Sequence, residues 1–238
     1  MGHPNRREIL KEDSFGRVLR LRGDGKDRIL REASGSWLPL TGWIARMLCR
    51  RERRALQVLE GLTGVPRLDP KDLGHGKELL RNHLPGAPLS KTAFLPRDYF
   101  DHLDALVAKV HGHGVCHNDL HKEQNIMVLP DGRPALLDFQ LASVHGMGGW
   151  GFKSRCAEDL RHLQKHRRRY TRDGRGSQEQ SQGSGHGFKR RRIALIWKHT
   201  GKPLYNFITR RILRTRDGEE RRPSSGPWPR WDEPLGPG

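Results

Sequence analysis

The sequence has few cysteines, no long apolar run and a shortage of acidic residues. Cys49, Cys116 and Cys156 are its three cysteines, and no two of them form a CxxC pair. This spacing argues against a zinc ribbon or a disulfide framework and favours a reducing compartment, so we expect a cytoplasmic protein. No stretch of 18 consecutive apolar residues occurs, so no membrane span is predicted. The first residues also lack the apolar run of a signal peptide.

The charge of the chain is strongly unbalanced. Lys and Arg number 45 against 27 Asp and Glu, which gives a formal net charge of +18. Half of this excess lies in residues 188–222, with twelve basic and three acidic residues. Such a surface attracts phosphate groups, nucleic acid or an anionic membrane face. We consider three interpretations of this stretch: a helical subdomain with a solvated basic face, a peripheral contact with the anionic inner face of the membrane, and an RNA-binding surface.

Hydrophobic spacing and turn residues predict strands near the start of the chain and helices after them. Residues 8–31 alternate short apolar runs with a Gly/Asp turn, as in a β-hairpin, and residues 79–80 suggest a further strand. Apolar residues at helical spacing predict helices over 43–60 and 98–111 and a basic helix over 157–170.

The clearest chemistry lies in residues 117–140. Apolar strands predicted at 126–129 and 135–138 flank Pro-Asp-Gly-Arg-Pro, in which Asp-Gly favours a tight turn. A hairpin of this kind brings the residue before its first strand beside the residue that ends its second strand. We therefore expect Asn125 and Asp138 to lie close together.

These side chains match the needs of phosphoryl transfer. That reaction requires a carboxylate that orients the attacking hydroxyl, oxygen ligands for Mg²⁺ and positive charge near the phosphates. Asp119 can supply the carboxylate, Asn125 and Asp138 the ligands, and Lys122 the positive charge. The pattern therefore predicts a metal–phosphate centre.

The motifs HNDLHKEQNIMV and LLDFQLA resemble the catalytic and metal-binding loops of the protein-kinase-like superfamily. They are most similar to its small bacterial branch, which contains RIO-like kinases and lipopolysaccharide core-sugar kinases. The resemblance implies an α+β, two-lobed fold, with a small, mostly β N-lobe and a larger, mostly helical C-lobe. We expect an N-lobe, a C-lobe, a flexible linker and a basic helical extension ending in a Pro/Gly-rich tail, over residues 1–84, 85–172, 173–187 and 188–238.

The resemblance also implies roles for single residues. Asp119 corresponds to the catalytic carboxylate, and His117 to the histidine that structures its loop. Asn125 and Asp138 correspond to the magnesium ligands.

Two departures from the family pattern affect this site. The family separates the catalytic Asp from the Asn by five residues, and position 124 here is Gln124. We favour Asn125 as the ligand because it directly precedes the apolar strand, and Gln124 remains the alternative. Gln140 replaces the glycine of the DFG motif but leaves the metal-binding carboxylate in place.

The N-terminal half matches the family less closely. In DSFGRV, Gly16 is the one glycine that corresponds to the family's glycine-rich, phosphate-covering loop. Arg31 stands in place of the family's phosphate-binding lysine. Glu52 falls on the apolar face of the helix predicted at 43–60, where a charge is costly unless it is paired. We therefore expect an inward Arg31–Glu52 pair, with a surface pair to a neighbouring arginine as the alternative.

The segment LLRNHLPGAPL resembles the hinge between the two kinase lobes. The resemblance implies that backbone groups near residues 81–83, Asn82 among them, meet the adenine of ATP.

The functional hypothesis is an ATP- and Mg²⁺-dependent kinase that phosphorylates a hydroxyl, with protein serine or threonine as the preferred acceptor. A lipopolysaccharide core sugar is the alternative acceptor. A catalytically weak pseudokinase is a further alternative, favoured by Arg31 and Gln140. The histidines and cysteine of HGHGVCHNDLH also suggest zinc, but no HExxH motif or paired cysteines support it, and His111 and His113 are expected at an exposed helix end.

Overall fold

The computed structural model describes residues 6–13, 15–34, 39–72, 74, 76–92, 95–146 and 149–171. The strands are β1 (Arg6–Asp13), β2 (Gly16–Gly23), β3 (Lys26–Glu32), β4 (Glu78–Asn82), β5 (Ala87–Pro88), β6 (Val115–Cys116), β7 (Ile126–Val128), β8 (Pro134–Leu136) and β9 (Ser143–Val144). The helices are α1 (Pro39–Val58), α2 (Tyr99–Gly112) and α3 (Trp150–Thr171), with short 3₁₀ turns at Leu89–Lys91, Glu123–Asn125 and Phe139–Leu141.

Strands β1 to β4 form one antiparallel sheet in that order. Asp24 and Gly25 connect β2 to β3, with φ of 53° and 67°, and the pair Gly23–Lys26 closes the ladder. A two-residue turn with both φ positive matches the twist of a hairpin, and Asp-Gly is a favoured sequence for it. The hairpin predicted within residues 8–31 is therefore confirmed.

Helix α1 packs against β4 and against the 3₁₀ turn Phe139–Leu141. It confirms the helix predicted over 43–60 but begins four residues earlier. Its buried stripe, which continues one residue past the helix, consists of Thr41, Ala45, Cys49, Glu52, Leu56 and Leu59. The spacing of three and four residues keeps these positions on one face, so Glu52 lies in the middle of an otherwise largely apolar contact.

The second half of the described chain is built on α2 and α3, which pack on each other. Helix α2 confirms the prediction over 98–111, and its buried residues join the main core. Helix α3 begins at residue 150, seven residues before the predicted start. The prediction missed this first part of the helix because WGFKSRC has little apolar periodicity.

The predicted hairpin after the polar loop is present as β7 and β8. They continue into β5 as a three-stranded antiparallel sheet, while β6 pairs with β9. Strand β8 ends at Leu136, so the prediction that Asp138 ends this strand is wrong by two residues. The backbone pairing nevertheless continues, because the N–H of Leu137 donates to the carbonyl of Asn125 at 2.9 Å.

An antiparallel sheet followed by helices agrees with the predicted α+β class. Among the described residues, no helix is long and apolar enough to cross a membrane. The predicted linker over 173–187 and the basic extension over 188–238 lie outside the described residues. The membrane and RNA hypotheses rest on that extension and remain without structural support.

Candidate active site

The polar loop between β6 and β7 is organised around Asp119, which is 2% exposed. Nδ2 of Asn125 donates to Asp119 twice, to Oδ2 at 2.9 Å and to the backbone carbonyl at 3.0 Å. Nζ of Lys122 lies 3.3 Å from Oδ2, and Nδ1 of His121 lies 3.1 Å from Oδ1. Three of the four residues that we predicted for this centre are thus in direct contact.

Gln124 and Asn125, the two alternative metal ligands, have different surroundings in the loop. Residues Glu123–Asn125 form a 3₁₀ turn, after which β7 begins. Asn125 is 5% exposed and bonded to Asp119, whereas Gln124 is half-buried. The loop therefore presents Asn125 to the carboxylate.

Asp119 lies in an environment that favours its ionised form. Burial opposes ionisation, but His121, Lys122 and the Asn125 amide together outweigh it and lower the pKa of Asp119. Its Oδ1 is buried and has no well-aligned hydrogen-bond donor among the described residues. His121 lies on the side of this oxygen, with its Nδ1 3.1 Å away.

Asp138 follows β8 in a left-handed backbone conformation, with φ 62° and ψ 68°. A non-glycine residue in this region is uncommon and marks a conformation imposed by its surroundings. Nε2 of Gln140 donates to Oδ1 of Asp138 at 2.6 Å, and Nη2 of Arg31 lies 3.7 Å from the same oxygen. Gln140, in place of the family's glycine, thus contacts the carboxylate directly.

The charge of Asp138 depends on these neighbours. Burial raises its pKa, and so does the nearby charge of Asp119, but Arg31, Gln140 and His117 prevail and lower the pKa overall. The side chain is 33% exposed, so it remains open to a ligand.

The expected ion pair between β3 and α1 is present. Nε of Arg31 lies 3.3 Å from Oε2 of Glu52, which is fully buried. The alternative of a surface pair is wrong, because Arg53 instead contacts Asp72. A second cation was not anticipated: Nε of Arg81, on β4, lies 3.6 Å from the other oxygen of Glu52.

A pocket of about 100 Å³ lies beside this pair, and Gly16, Arg31, Asp138 and Gln140 are among its lining residues. Gly16 has a φ of +139°, and a Cβ there would stand 1.8 Å from the carbonyl oxygen of Glu32. Packing within the sheet therefore suffices to require glycine at this position. Its predicted role in covering phosphate stays a prediction.

No family model matches the chain. One curated relative is a probable SapB synthase of Streptomyces coelicolor, 39% identical over 114 residues, which is 39% of this chain and 12% of that protein. The crystal structure of the Rio2 kinase from Chaetomium thermophilum superposes with a TM-score of 0.52 at 16% sequence identity. That match covers 77% of this chain and 60% of the Rio2 kinase chain, so this chain spans less than two thirds of either protein.

The chain has a protein-kinase-like fold. The four-stranded sheet with α1 corresponds to a small β-rich lobe, and the parts built on α2 and α3 to a helical lobe. The branch of RIO-like and lipopolysaccharide kinases remains a prediction, because the similarity shows the fold alone.

The segment that we predicted as a hinge is already partly hydrogen bonded. The N–H of Asn82 donates to the carbonyl of Arg67 at 2.9 Å, and the N–H of His83 donates to that of Asp27 at 2.9 Å. Asn82 Oδ1 also accepts from the N–H of Arg67. Donors for an adenine ring at this segment would therefore have to come from residues beyond His83, which narrows the prediction made for Asn82.

The two groups of histidines have different surroundings. Nε2 of His117 lies 2.9 Å from the carbonyl of Leu137, and its ring contacts that of Phe139 at a tilt of 51°, with the ring centroids 4.6 Å apart. His113 is exposed as predicted. His111 is half-buried and contacts Asp159 at 3.1 Å, so the expectation of an exposed position is wrong for it.

Asp159 is a site residue that sequence reasoning missed. Its carboxylate accepts hydrogen bonds from the backbone N–H groups of His117 and Asn118, at 2.8 and 2.9 Å. It thereby fixes the chain directly before Asp119. A signal was available, because Asp159 shares one helical face with the buried residues Leu163, His166 and Tyr170.

An Asp159→Asn variant should have a free energy of unfolding about 2–3 kcal/mol lower than that of wild type. The variant keeps the shape of the side chain but replaces one of the two acceptor oxygens with an amide N–H₂ group, so one of the two backbone N–H groups faces another donor and lacks an acceptor. Urea denaturation followed by circular dichroism measures the change. Glu158→Gln is the control, because Glu158 is exposed and bonds Arg161; equal stability of the two variants would contradict the assignment.

Proposed function

We propose that this chain is a phosphotransferase that uses ATP and Mg²⁺ to phosphorylate a hydroxyl group, with protein serine or threonine as the preferred acceptor. The observation that carries the proposal is the buried contact between Asp119 and Asn125. The backbone hydrogen bond from Leu137 to Asn125 brings the next residue, Asp138, close to this contact. The kinase-like fold supports the same class of reaction, and one similar structure is named a kinase.

The donor set suits magnesium. Mg²⁺ prefers carboxylate and amide oxygens and keeps several waters. Because Asn125 donates through Nδ2 to Asp119, its Oδ1 is left as an acceptor, and Asp138 adds a carboxylate. Bound there, the ion would neutralise charge on the phosphates.

The remaining groups have separate tasks. Asp119, held ionised, accepts a hydrogen bond from the acceptor hydroxyl and orients it for attack. Lys122, beside Asp119, supplies positive charge to the transferred phosphate. Arg31 contacts Asp138 and lines the pocket, which supports a role for its charge in binding the other phosphates.

One observation favours a second candidate, a pseudokinase that acts by binding. Arg31 contacts both Glu52 and Asp138, and Gln140 bonds Oδ1 of Asp138. The contacts of Arg31 and Gln140 with Asp138 compete with a metal ion for the Asp138 carboxylate. A site held in this way binds Mg–ATP weakly or not at all.

Calorimetric titration with ATP and MgCl₂ tests the proposal. The wild-type chain should bind ATP in a Mg²⁺-dependent manner, and Asp138→Asn should weaken that binding about tenfold or more because a charged ligand is lost. Asp131→Asn makes the same change in the β7–β8 turn, where Asp131 contacts Arg133, and should bind like wild type.

The acceptor is addressed with labelled ATP and two acceptor classes, the chain itself together with a Ser/Thr-rich peptide, and a lipopolysaccharide core oligosaccharide. Label on protein or peptide supports the preferred acceptor, and label on the sugar supports the alternative. Weak Mg–ATP binding without transfer to either acceptor favours the pseudokinase. No Mg²⁺-dependent binding in wild type contradicts the proposal.

A further inference from the structure

Three side chains with metal-binding atoms meet at a second place in the fold. His111 lies in the last turn of α2, Cys116 in β6 and Cys156 in α3. A ring nitrogen of His111 and the two Sγ atoms all lie within 4.8 Å of one another, and the Sγ atoms are 3.5 Å apart. The sequence suggests zinc for residues 111–121, which contain His111 and Cys116, but does not include Cys156, which lies forty residues from Cys116.

We propose that His111, Cys116 and Cys156 bind one Zn²⁺ ion, at a site separate from the predicted magnesium ligands. Zinc binds thiolate sulfur at about 2.3 Å and imidazole nitrogen at about 2.0–2.1 Å in tetrahedral geometry, which places two thiolates about 3.8 Å apart. The sulfur separation here is close to that value. Two sulfurs and one nitrogen are also the ligand types that favour zinc over magnesium or calcium.

The surroundings of the cluster support this assignment. Oδ2 of Asp159 lies 3.1 Å from Nε2 of His111, and ligating histidines are commonly oriented by such a carboxylate. Cys116 is buried, whereas His111 and Cys156 are half-buried. The exposed side provides a route for the ion and room for water as a fourth ligand.

The thiols must lose their protons when the ion binds. Burial raises the pKa of both Cys116 and Cys156, which favours their thiol forms in the absence of a cation. Binding of Zn²⁺ therefore forms two Zn–S bonds and releases two protons to solvent, and the affinity should rise with pH.

A bound ion would act on the predicted active site through the backbone. Cys116 directly precedes His117, and Asp159 lies one helical turn after Cys156 on α3. The ion would join α2, β6 and α3 at the point where Asp159 fixes the start of the loop that carries Asp119. Its role would be structural, and it would stabilise the loop whether or not the chain transfers phosphate.

The test is zinc content of the tag-free chain, prepared under reducing conditions, loaded with ZnSO₄, dialysed and measured by mass spectrometry of the metal. Wild type should retain about one Zn²⁺ per chain, and the melting temperature should fall by about 5–10 °C after removal of the ion with a chelator. Cys156→Ser and His111→Ala should each lose the retained zinc. Co²⁺ in place of Zn²⁺ should give the absorption of a thiolate–cobalt bond.

His113→Ala and Cys49→Ala serve as controls, because His113 is exposed on the same helix end and Cys49 lies in α1. Both should retain zinc like wild type. The proposal is overturned if wild type retains no zinc, if Cys156→Ser retains as much as wild type, or if Cys116 and Cys156 remain joined as a disulfide in the reduced preparation. Because ATP is absent throughout, these results do not depend on the proposed kinase activity.

Discussion

An Asp119→Asn variant should transfer phosphate about 10²- to 10⁴-fold more slowly than wild type, while still binding Mg–ATP. The substitution is isosteric, and the new side-chain oxygen can still accept the hydrogen bond from Asn125 that wild type has at 2.9 Å. What it removes is the negative charge that attracts the proton of the acceptor hydroxyl. The initial rate of label transfer from ATP, at saturating Mg²⁺, measures the effect.

The same variant separates chemistry from binding. Asp119 is not among the predicted metal ligands, so nucleotide affinity should stay within a few-fold of wild type, in contrast to Asp138→Asn. Asp131→Asn should transfer phosphate at the wild-type rate. Undiminished transfer by Asp119→Asn would exclude this carboxylate as the group that orients the acceptor, and equal loss of Mg–ATP binding in both active-site variants would show that Asp119 acts on the metal instead.

Several features of the site could be predicted from the sequence because they depend on local patterns. Asp-Gly at residues 24–25 specifies a hairpin turn whatever the rest of the chain does. Glu52 could be placed on the inward face of α1 from helical spacing, and its burial required a cation. The contact between Asp119 and Asn125 follows from a resemblance to a loop with its own internal geometry.

The missed contacts join residues that are distant in sequence. Asp159 contacts His117 across 42 positions. Arg81, on β4, contacts Glu52, on α1, through helix–sheet packing that no local pattern specifies. The left-handed backbone conformation of Asp138 could not be predicted either, because this conformation is most common for glycine and for asparagine in turns. Such features depend on how β8, α1 and α3 pack, which periodicity within one element does not specify.

Replacement of Glu52 by Ala should destabilise the chain by about 3–5 kcal/mol, the largest stability effect we expect. Glu52 is fully buried, and its carboxylate lies between Arg31 and Arg81, which are 19% and 9% exposed in their side chains. Burial lowers the pKa of Arg81, Arg31 lowers it further, and Glu52 raises it. Without Glu52, the two guanidinium groups would lie together and lose the carboxylate that they share, with Asp138 left as a more distant counter-charge.

Thermal unfolding followed by circular dichroism should show this loss as a decrease of roughly 6–20 °C in melting temperature. Glu52→Gln separates charge from volume: because neither carboxylate oxygen accepts a well-aligned hydrogen bond among the described residues, charge is the main contribution, and this variant should lose nearly as much. Glu60→Ala is the matched control, since Glu60 is exposed two residues beyond α1. If Glu52→Ala were no less stable than Glu60→Ala, the shared carboxylate would not stabilise the two arginines. The role of Arg31 would then be limited to its contacts with Asp138 and the phosphates.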